Sequence, residues 1–134
     1  MGERLADAGI LSLAAMRIGV GALAWTKPDL TARLFGFGVP DGQARYAWRL
    51  FGVRDVVIGL GTVTAGAKRR RVWAGVGLAC DVADGAAGTL GRRDVKPLNA
   101  AAMIGVPAAA VAFGAWALTG SRGGSRGEDG ASGR

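Results

Sequence analysis

The stretch from residue 98 to residue 119 limits the possible folds more than any other part of the chain. It contains no charged side chain, and a helix built from it is apolar on every side. About 20 such residues span the hydrocarbon core of a bilayer, whereas in water such a helix would have to be fully enclosed. The rest of this 134-residue chain, with its 24 glycines, is too short and too glycine-rich to enclose it. We therefore predict a helix that crosses a membrane.

Three further segments are long enough to be membrane-spanning helices, although each carries charged residues and the second and third helices of the four are poor spans by hydropathy alone. They are residues 8–26, 48–67 and 72–91, and short gaps such as 68–71 hold many of the Lys and Arg side chains. Basic residues confined to such gaps are typical of membrane topology. The fold prediction is all-α: residues 1–119 form an integral membrane bundle of four helices, 8–26, 48–67, 72–91 and 98–119.

Two other parts of the chain connect or extend these helices. Residues 27–47 join the first two, and their mainly apolar middle, Leu30 to Phe37, forms either a short interfacial segment on the membrane surface or a loop packed over the bundle end. The fold prediction adopts the interfacial segment. Residues 120–134 are polar and rich in glycine, which predicts a disordered tail.

The start of the chain has a second interpretation, as a signal peptide. Ala22-Leu23-Ala24 has the small-x-small form of a cleavage site. The acidic residues near the start, together with Arg17 inside the apolar stretch, favour a retained helix instead. The N-terminus, the 68–71 gap and the tail hold more basic residues than the opposite side, so both termini are predicted to be cytoplasmic.

Composition excludes several classes of function. A net charge of +7 would suggest nucleic-acid binding on a soluble protein, but here the basic residues lie in the gaps and no nucleic-acid-binding motif is present. The chain has no histidine and one cysteine, Cys80, which removes histidine-based metal sites and intrachain disulfides. We therefore predict no nucleic-acid partner, no metal and no cofactor.

Helical spacing places the buried charges on inward faces. Residues at i, i+4, i+7 and i+11 share one stripe of a helix. Small or polar residues follow this spacing in all four helices: Ala14, Arg17, Gly21 and Ala24; Gly52, Asp55, Gly59, Thr62 and Gly66; Gly77, Asp81, Asp84, Gly88 and Gly91; and Ala102, Gly105, Ala109 and Ala112. Such faces pack inward in membrane bundles. Arg54 lies beside one of them.

Depth along the helices brings the same charges together. Counted from helix ends on one membrane side, Arg17, Asp55, Asp81 and Asp84 fall within about 5 Å of depth. Charges at that depth are costly, so they pair and often mark function. With all five ionised, including Arg54, the cluster would carry one net negative charge. That excess favours one proton on a candidate acid pair, Asp81 and Asp84.

Two interpretations of the cluster remain open. In the first, the ion pairs hold glycine-rich helices together. In the second, Asp81 or Asp84 is a catalytic general acid, and Arg54, Asp55 and Arg17 tune its proton affinity.

One group of motifs resembles a known family. Arg49-Leu-Phe-Gly-Val-Arg54-Asp55, Gly59-Leu-Gly61 and Asp81-x-x-Asp84 are similar to motifs of small actinobacterial four-helix membrane proteins of unknown function, loosely DoxX-like. The resemblance covers roughly residues 8–119. It implies a four-helix fold in a bacterial plasma membrane and no particular activity.

Two functions fit these observations. The first is a small membrane protein acting as a structural or accessory subunit, with a membrane-complex partner or a second copy of itself. The second is a membrane enzyme or binding protein for a lipophilic ligand, such as an isoprenoid, a quinone or a lipid. A bundle cavity that reaches the aspartates would favour the second, and a tightly filled core the first.

Overall fold

A computed structural model describes residues 2–120 of the chain. These residues form five α-helices and no strand: α1 (Gly2–Thr26), α2 (Pro28–Leu34), α3 (Gly42–Thr64), α4 (Ala67–Gly91) and α5 (Pro97–Gly120). The predicted all-α class is therefore confirmed. Gly120, the first residue of the predicted tail, is the last residue of α5. The remaining residues of that tail, 121–134, lie outside the described residues.

The four long helices pack side by side in a ring. α1 contacts α3 and α5, and α4 contacts the same two helices, so α1 and α4 occupy opposite corners. The α1–α3 and α4–α5 contacts are the most extensive, and the α3–α4 contact is the least. Short α2 packs against α1 and α3 at one end of the ring. The bundle thus consists of two tightly packed helix pairs with a looser seam between them.

Glycines explain why the two helix pairs pack so tightly. A Cβ atom on Gly21 of α1 would lie 2.5 Å from the carbonyl oxygen of Gly52 on α3. One on Gly88 of α4 would lie 2.6 Å from the carbonyl oxygen of Met103 on α5. Backbones can approach this closely only where no side chain separates them. Pro107, four residues after Met103, has no N–H with which to bond that carbonyl inside the helix.

Helix boundaries differ from the sequence prediction at three starts, and α1 begins at Gly2 rather than residue 8. α3 begins at Gly42 rather than residue 48, because the Asp41 side chain caps it by accepting a hydrogen bond of 2.8 Å from the Ala44 backbone N–H. α4 begins at Ala67, so the basic run 68–71 lies in the first turns of the helix and not in a gap. Lys and Arg are good helix formers, and hydropathy detects only the apolar part of such a helix.

The predicted inward stripes are buried in three of the four helices. In α1 all four stripe residues are buried, and in α3 Gly52, Asp55, Gly59 and Thr62 are. In α4, Gly77, Asp81 and Gly88 are buried and Asp84 is half-buried.

The stripe predicted for α5 is wrong. Gly105, Ala109 and Ala112 are exposed, and the buried residues are Asn99, Gly114 and Ala117. The helix is uniformly small and apolar and carries no charge, so its sequence does not mark the face that packs against α1 and α4.

Within residues 2–120, two helical stretches have the length and apolar composition needed to cross a membrane, namely Arg4–Thr26 and Pro97–Gly120. α3 and α4, with their internal charges, are not among them. In α5 only 11% of the most apolar window is buried inside the protein, and in α1 33%. The core helix of a soluble protein would be mostly buried, so the apolar surface of α5 is mainly an outer surface.

The α1–α3 approach can be tested with two glycines of α1. We expect Gly21→Ala to lower the stability of the protein by roughly 1–3 kcal/mol, because the new methyl group would meet the α3 backbone. A methyl group on Gly19 would have no other atom within 4 Å, so Gly19→Ala should be neutral or stabilise by up to about 1 kcal/mol. Thermal unfolding of the purified proteins measures both. Equal effects would contradict the close α1–α3 packing.

Candidate functional site

Five charged side chains meet inside the ring and alternate in sign. The order of contacts is Asp81, Arg17, Asp55, Arg54, Asp84, so that each arginine lies between two aspartates. All five candidate site residues predicted from the sequence therefore belong to one network. Its members come from three helices, α1, α3 and α4.

Arg17 reaches from α1 across the centre of the ring. Its Nη1 donates to Asp55 Oδ1 on α3 at 3.3 Å, and its Nη2 donates to Asp81 Oδ2 on α4. The same Nη2 donates to the Gly77 carbonyl oxygen at 3.1 Å. Arg17, Asp55 and Asp81 are each at least nine-tenths buried. One guanidinium thus links helices at opposite corners of the ring.

Arg54 forms the outer half of the network. Its Nη1 and Nη2 donate to the two carboxylate oxygens of Asp84 at 2.9 and 2.7 Å, a bidentate pair. Nη2 also lies 3.3 Å from Asp55 Oδ1, and the guanidinium carbon is 5.0 Å from the centre of the Phe51 ring. The side chains of Arg54 and Asp84 are about one-third exposed. This pair closes the looser α3–α4 seam.

Hydrogen bonds are distributed unevenly among the carboxylate oxygens. Asp55 Oδ1 accepts from both arginines, whereas no described residue donates to Asp55 Oδ2 or to Asp81 Oδ1. Asp81 and Asp84 bind different arginines and share no hydrogen bond within the described residues. With all groups ionised, the network carries one net negative charge. It can therefore accept hydrogen bonds, or hold one proton, on the Asp55–Asp81 side.

A cavity of about 850 Å³ extends from one end of the ring to this network. Arg17, Asp55, Asp81 and Asp84 lie at its inner end, and its walls come from all four long helices. Apart from these residues and Asp41 at the outer end, the lining is apolar and includes Met16, Val20, Ala47, Ala87, Met103 and Val106. The core is therefore not tightly filled.

Four aromatic rings form the outer wall of the cavity, and the sequence analysis did not select them. Trp48 lies 5.6 Å from Phe35, 5.9 Å from Phe37 and 5.9 Å from Phe51, measured between ring centres. All four line the cavity. Their concentration within residues 35–51, in a chain with few aromatic residues, was the available signal.

Hydrogen bonds from other elements hold the segment that carries this aromatic wall. Asn99 at the start of α5 donates through Nδ2 to the Gly36 carbonyl oxygen. Gly36 adopts a φ of 81°, which favours glycine. On α2, Asp29 accepts a bond of 2.7 Å from Arg45 Nε, and this hydrogen bond lowers the pKa of Asp29. The segment is thus attached to both helix pairs.

The described residues contain no metal site, and no known protein matches the chain. Among the described residues, no group of three or more potential metal ligands is arranged to hold an ion. Comparisons of the chain with protein families, with curated proteins and with solved structures find no match. The resemblance to DoxX-like proteins therefore stays a prediction, and the argument for function depends on the cluster and the cavity.

The central role of Arg17 can be tested by a double-mutant cycle with Asp81. Arg17→Gln would raise the buried net charge from one to two negatives, and we expect a stability loss of about 3–5 kcal/mol. Asp81→Asn removes the excess charge and keeps an acceptor, so its loss should be roughly 1 kcal/mol. The double variant should recover part of the Arg17→Gln loss in equilibrium unfolding. Simple addition of the two losses would contradict direct coupling.

Proposed function

We propose that this chain is a four-span protein of a bacterial plasma membrane and that it binds a lipophilic molecule in the cavity. The observation that carries the proposal is the cavity itself, which has apolar walls and reaches the buried aspartates. Pockets of roughly 300–1,000 Å³ are typical of small-molecule sites. A tightly filled core would instead have favoured a purely structural cluster.

The outer surfaces of α3 and α4 support the membrane part of the proposal. Their mean hydropathy is reduced by the charged residues, but the network neutralises most of those charges inside the ring. The side chains that face outward in the middle of these helices are large and apolar: Val53, Val57, Leu60, Val76 and Val82. Together with the exposed apolar face of α5, they would give the bundle a lipid-compatible belt.

Helix α2 fits the interfacial position proposed for it. It lies at the end of the bundle, with Pro28, Thr31 and Ala32 buried against its neighbours. Leu30 and Leu34 point outward and are exposed. An amphipathic segment at this place could rest at the boundary between lipid and water. The proposed orientation puts α2 and the mouth of the cavity on the side opposite to the cytoplasmic termini.

The ion pairs also support the structural role that the sequence analysis left open. Every aspartate of the network bonds an arginine, and the bonds link α1, α3 and α4. Ion pairs that link the helices are sufficient for a structural role as an accessory subunit. The two roles are compatible, because one network can hold the helices and form the floor of a ligand site. Where the bound molecule reacts, Asp81 would serve as the general acid, because both oxygens of Asp84 already accept hydrogen bonds from Arg54.

The four-span topology can be tested by labelling single cysteines. In a Cys80→Ala background, we expect Lys68→Cys and Lys96→Cys to react with an impermeant thiol reagent from opposite sides of the membrane. The two positions lie at opposite ends of α4, just after its start and beyond its end. The protein should also remain in the membrane after carbonate extraction. Labelling of both cysteines from one side would contradict a membrane-spanning α4.

The cavity can be tested with two alanines of α4. Ala87 lines the cavity, so Ala87→Trp should fill part of it and reduce the amount of lipid-like molecules that co-purify with the protein. Ala83, one turn earlier, is exposed and does not line the cavity, so Ala83→Trp is the matched control. Mass spectrometry of the purified proteins measures the bound molecules. Equal occupancy in both variants would contradict binding in this cavity.

A further inference from the structure

We infer that the occupant of the cavity is a cationic amphiphile, whose positive group binds the carboxylate floor and whose apolar chain follows the aromatic wall. This inference rests on the proposed function and specifies the ligand class. Its basis is the charge of the lining, the unoccupied carboxylate oxygens at the floor and the shape of the cavity.

The charged residues that line the cavity are strongly unequal in sign. Among the described residues they comprise one cation, Arg17, and four carboxylates: Asp41, Asp55, Asp81 and Asp84. Arg54 compensates Asp84 through its bidentate pair, and Asp41 lies at the mouth as the cap of α3. Asp81 has Arg17 as its cation, and Asp55 shares Arg17 with Asp81 and Arg54 with Asp84, so two arginines face three carboxylates. The floor therefore has an excess of negative charge.

Free acceptor atoms at the floor match a positive or hydrogen-bond-donating group. Asp81 is 6% exposed and Asp55 5%, and both line the cavity. One oxygen of each carboxylate has no donor among the described residues. Carboxylate oxygens at an apolar cavity are stabilised by hydrogen-bond donors, and a ligand ammonium would supply both a donor and a positive charge.

An anionic ligand would find no free positive group at the floor of the cavity. Both terminal nitrogens of Arg17 already donate, to Asp55, Asp81 and Gly77. A phosphate or carboxylate at the floor would therefore add a second negative charge without gaining a free cation. A neutral apolar molecule would fit the walls but leave the carboxylate oxygens without donors. Charge complementarity thus selects a cationic group among ligands with similar apolar parts.

The aromatic wall accounts for the apolar part of the ligand. Phe35, Phe37, Trp48 and Phe51 line the outer half of the cavity, and Met16, Val20 and Val106 line it further along. A chain that extends from the floor to the mouth would contact apolar side chains over its length. Its cationic end would be the only part of the ligand that needs a polar partner.

The test compares three dodecyl amphiphiles that differ in charge. The full chain, in nanodiscs of zwitterionic phosphatidylcholine, is titrated calorimetrically with dodecylammonium, dodecanol and dodecyl sulfate, and the heats of empty nanodiscs are subtracted. We expect saturable binding of the cation with a Kd lower by about 10-fold or more than that of the other two. This comparison uses the unaltered protein, so it does not depend on the folding of any variant.

Two variants then test whether the carboxylates at the cavity floor cause the tighter binding of the cation. Asp81→Asn removes one negative charge at the floor, so binding of the cation should weaken by about 10-fold while that of dodecanol stays unchanged. Asp94→Asn makes the same charge change at an exposed position outside the cavity and should leave both unchanged. Equal effects of the two variants would assign the preference to surface charge and overturn the inference.

The outcomes also separate this inference from the proposed function. Equal affinities for all three probes, or tighter binding of dodecyl sulfate, would overturn the cationic preference and leave the lipophilic cavity standing. Absence of saturable binding for every probe would overturn the proposed function, and the inference with it.

Discussion

The structure depends on placing one guanidinium where it can serve three helices at once. Arg17 leaves α1 at the level where α3 presents Asp55 and α4 presents Asp81 and the Gly77 carbonyl. α1 and α4 lie at opposite corners of the ring; this side chain connects them through the centre, and an ion pair of 3.6 Å between Asp7 and Arg70 connects them at one end. An apolar residue at position 17 could fill the same space, but it would leave the buried Asp81 without a cation and Asp55 with Arg54 alone.

Close packing at the glycines and the open cavity have a common origin. Where Gly21 meets Gly52 and Gly88 meets Met103, the backbones of each helix pair nearly touch. Pairs drawn together in this way leave space between them, and that space is occupied at one level by the charged network. Beyond that level the apolar side chains that line the space do not fill it. The cavity is therefore the space that remains between two closely packed helix pairs when an ion-pair network holds those pairs apart.

Sequence reasoning could identify the cluster but not the cavity. Charges are rare in apolar helices, so the depth and stripe of Arg17, Asp55, Asp81 and Asp84 could be counted directly. The aromatic wall depends on how residues 35–41 turn back over the bundle, which no helical periodicity describes. The packing face of α5 was missed because nothing polar in its middle marks one side. Helix starts at Gly2, Gly42 and Ala67 were missed because hydropathy does not detect a polar first turn.

The distribution of charge over the helices also matters for how the protein is made. In the proposed membrane arrangement, α1 enters the bilayer with an arginine that has no partner until α3 arrives with Asp55. α3 adds a second arginine, and only α4, with its two aspartates, reverses the excess of positive charge. The last helix carries no charge and can insert without help. Biogenesis would therefore be a sequential neutralisation, in which the arginines of α1 and α3 have all their partners only after α4 has been synthesised.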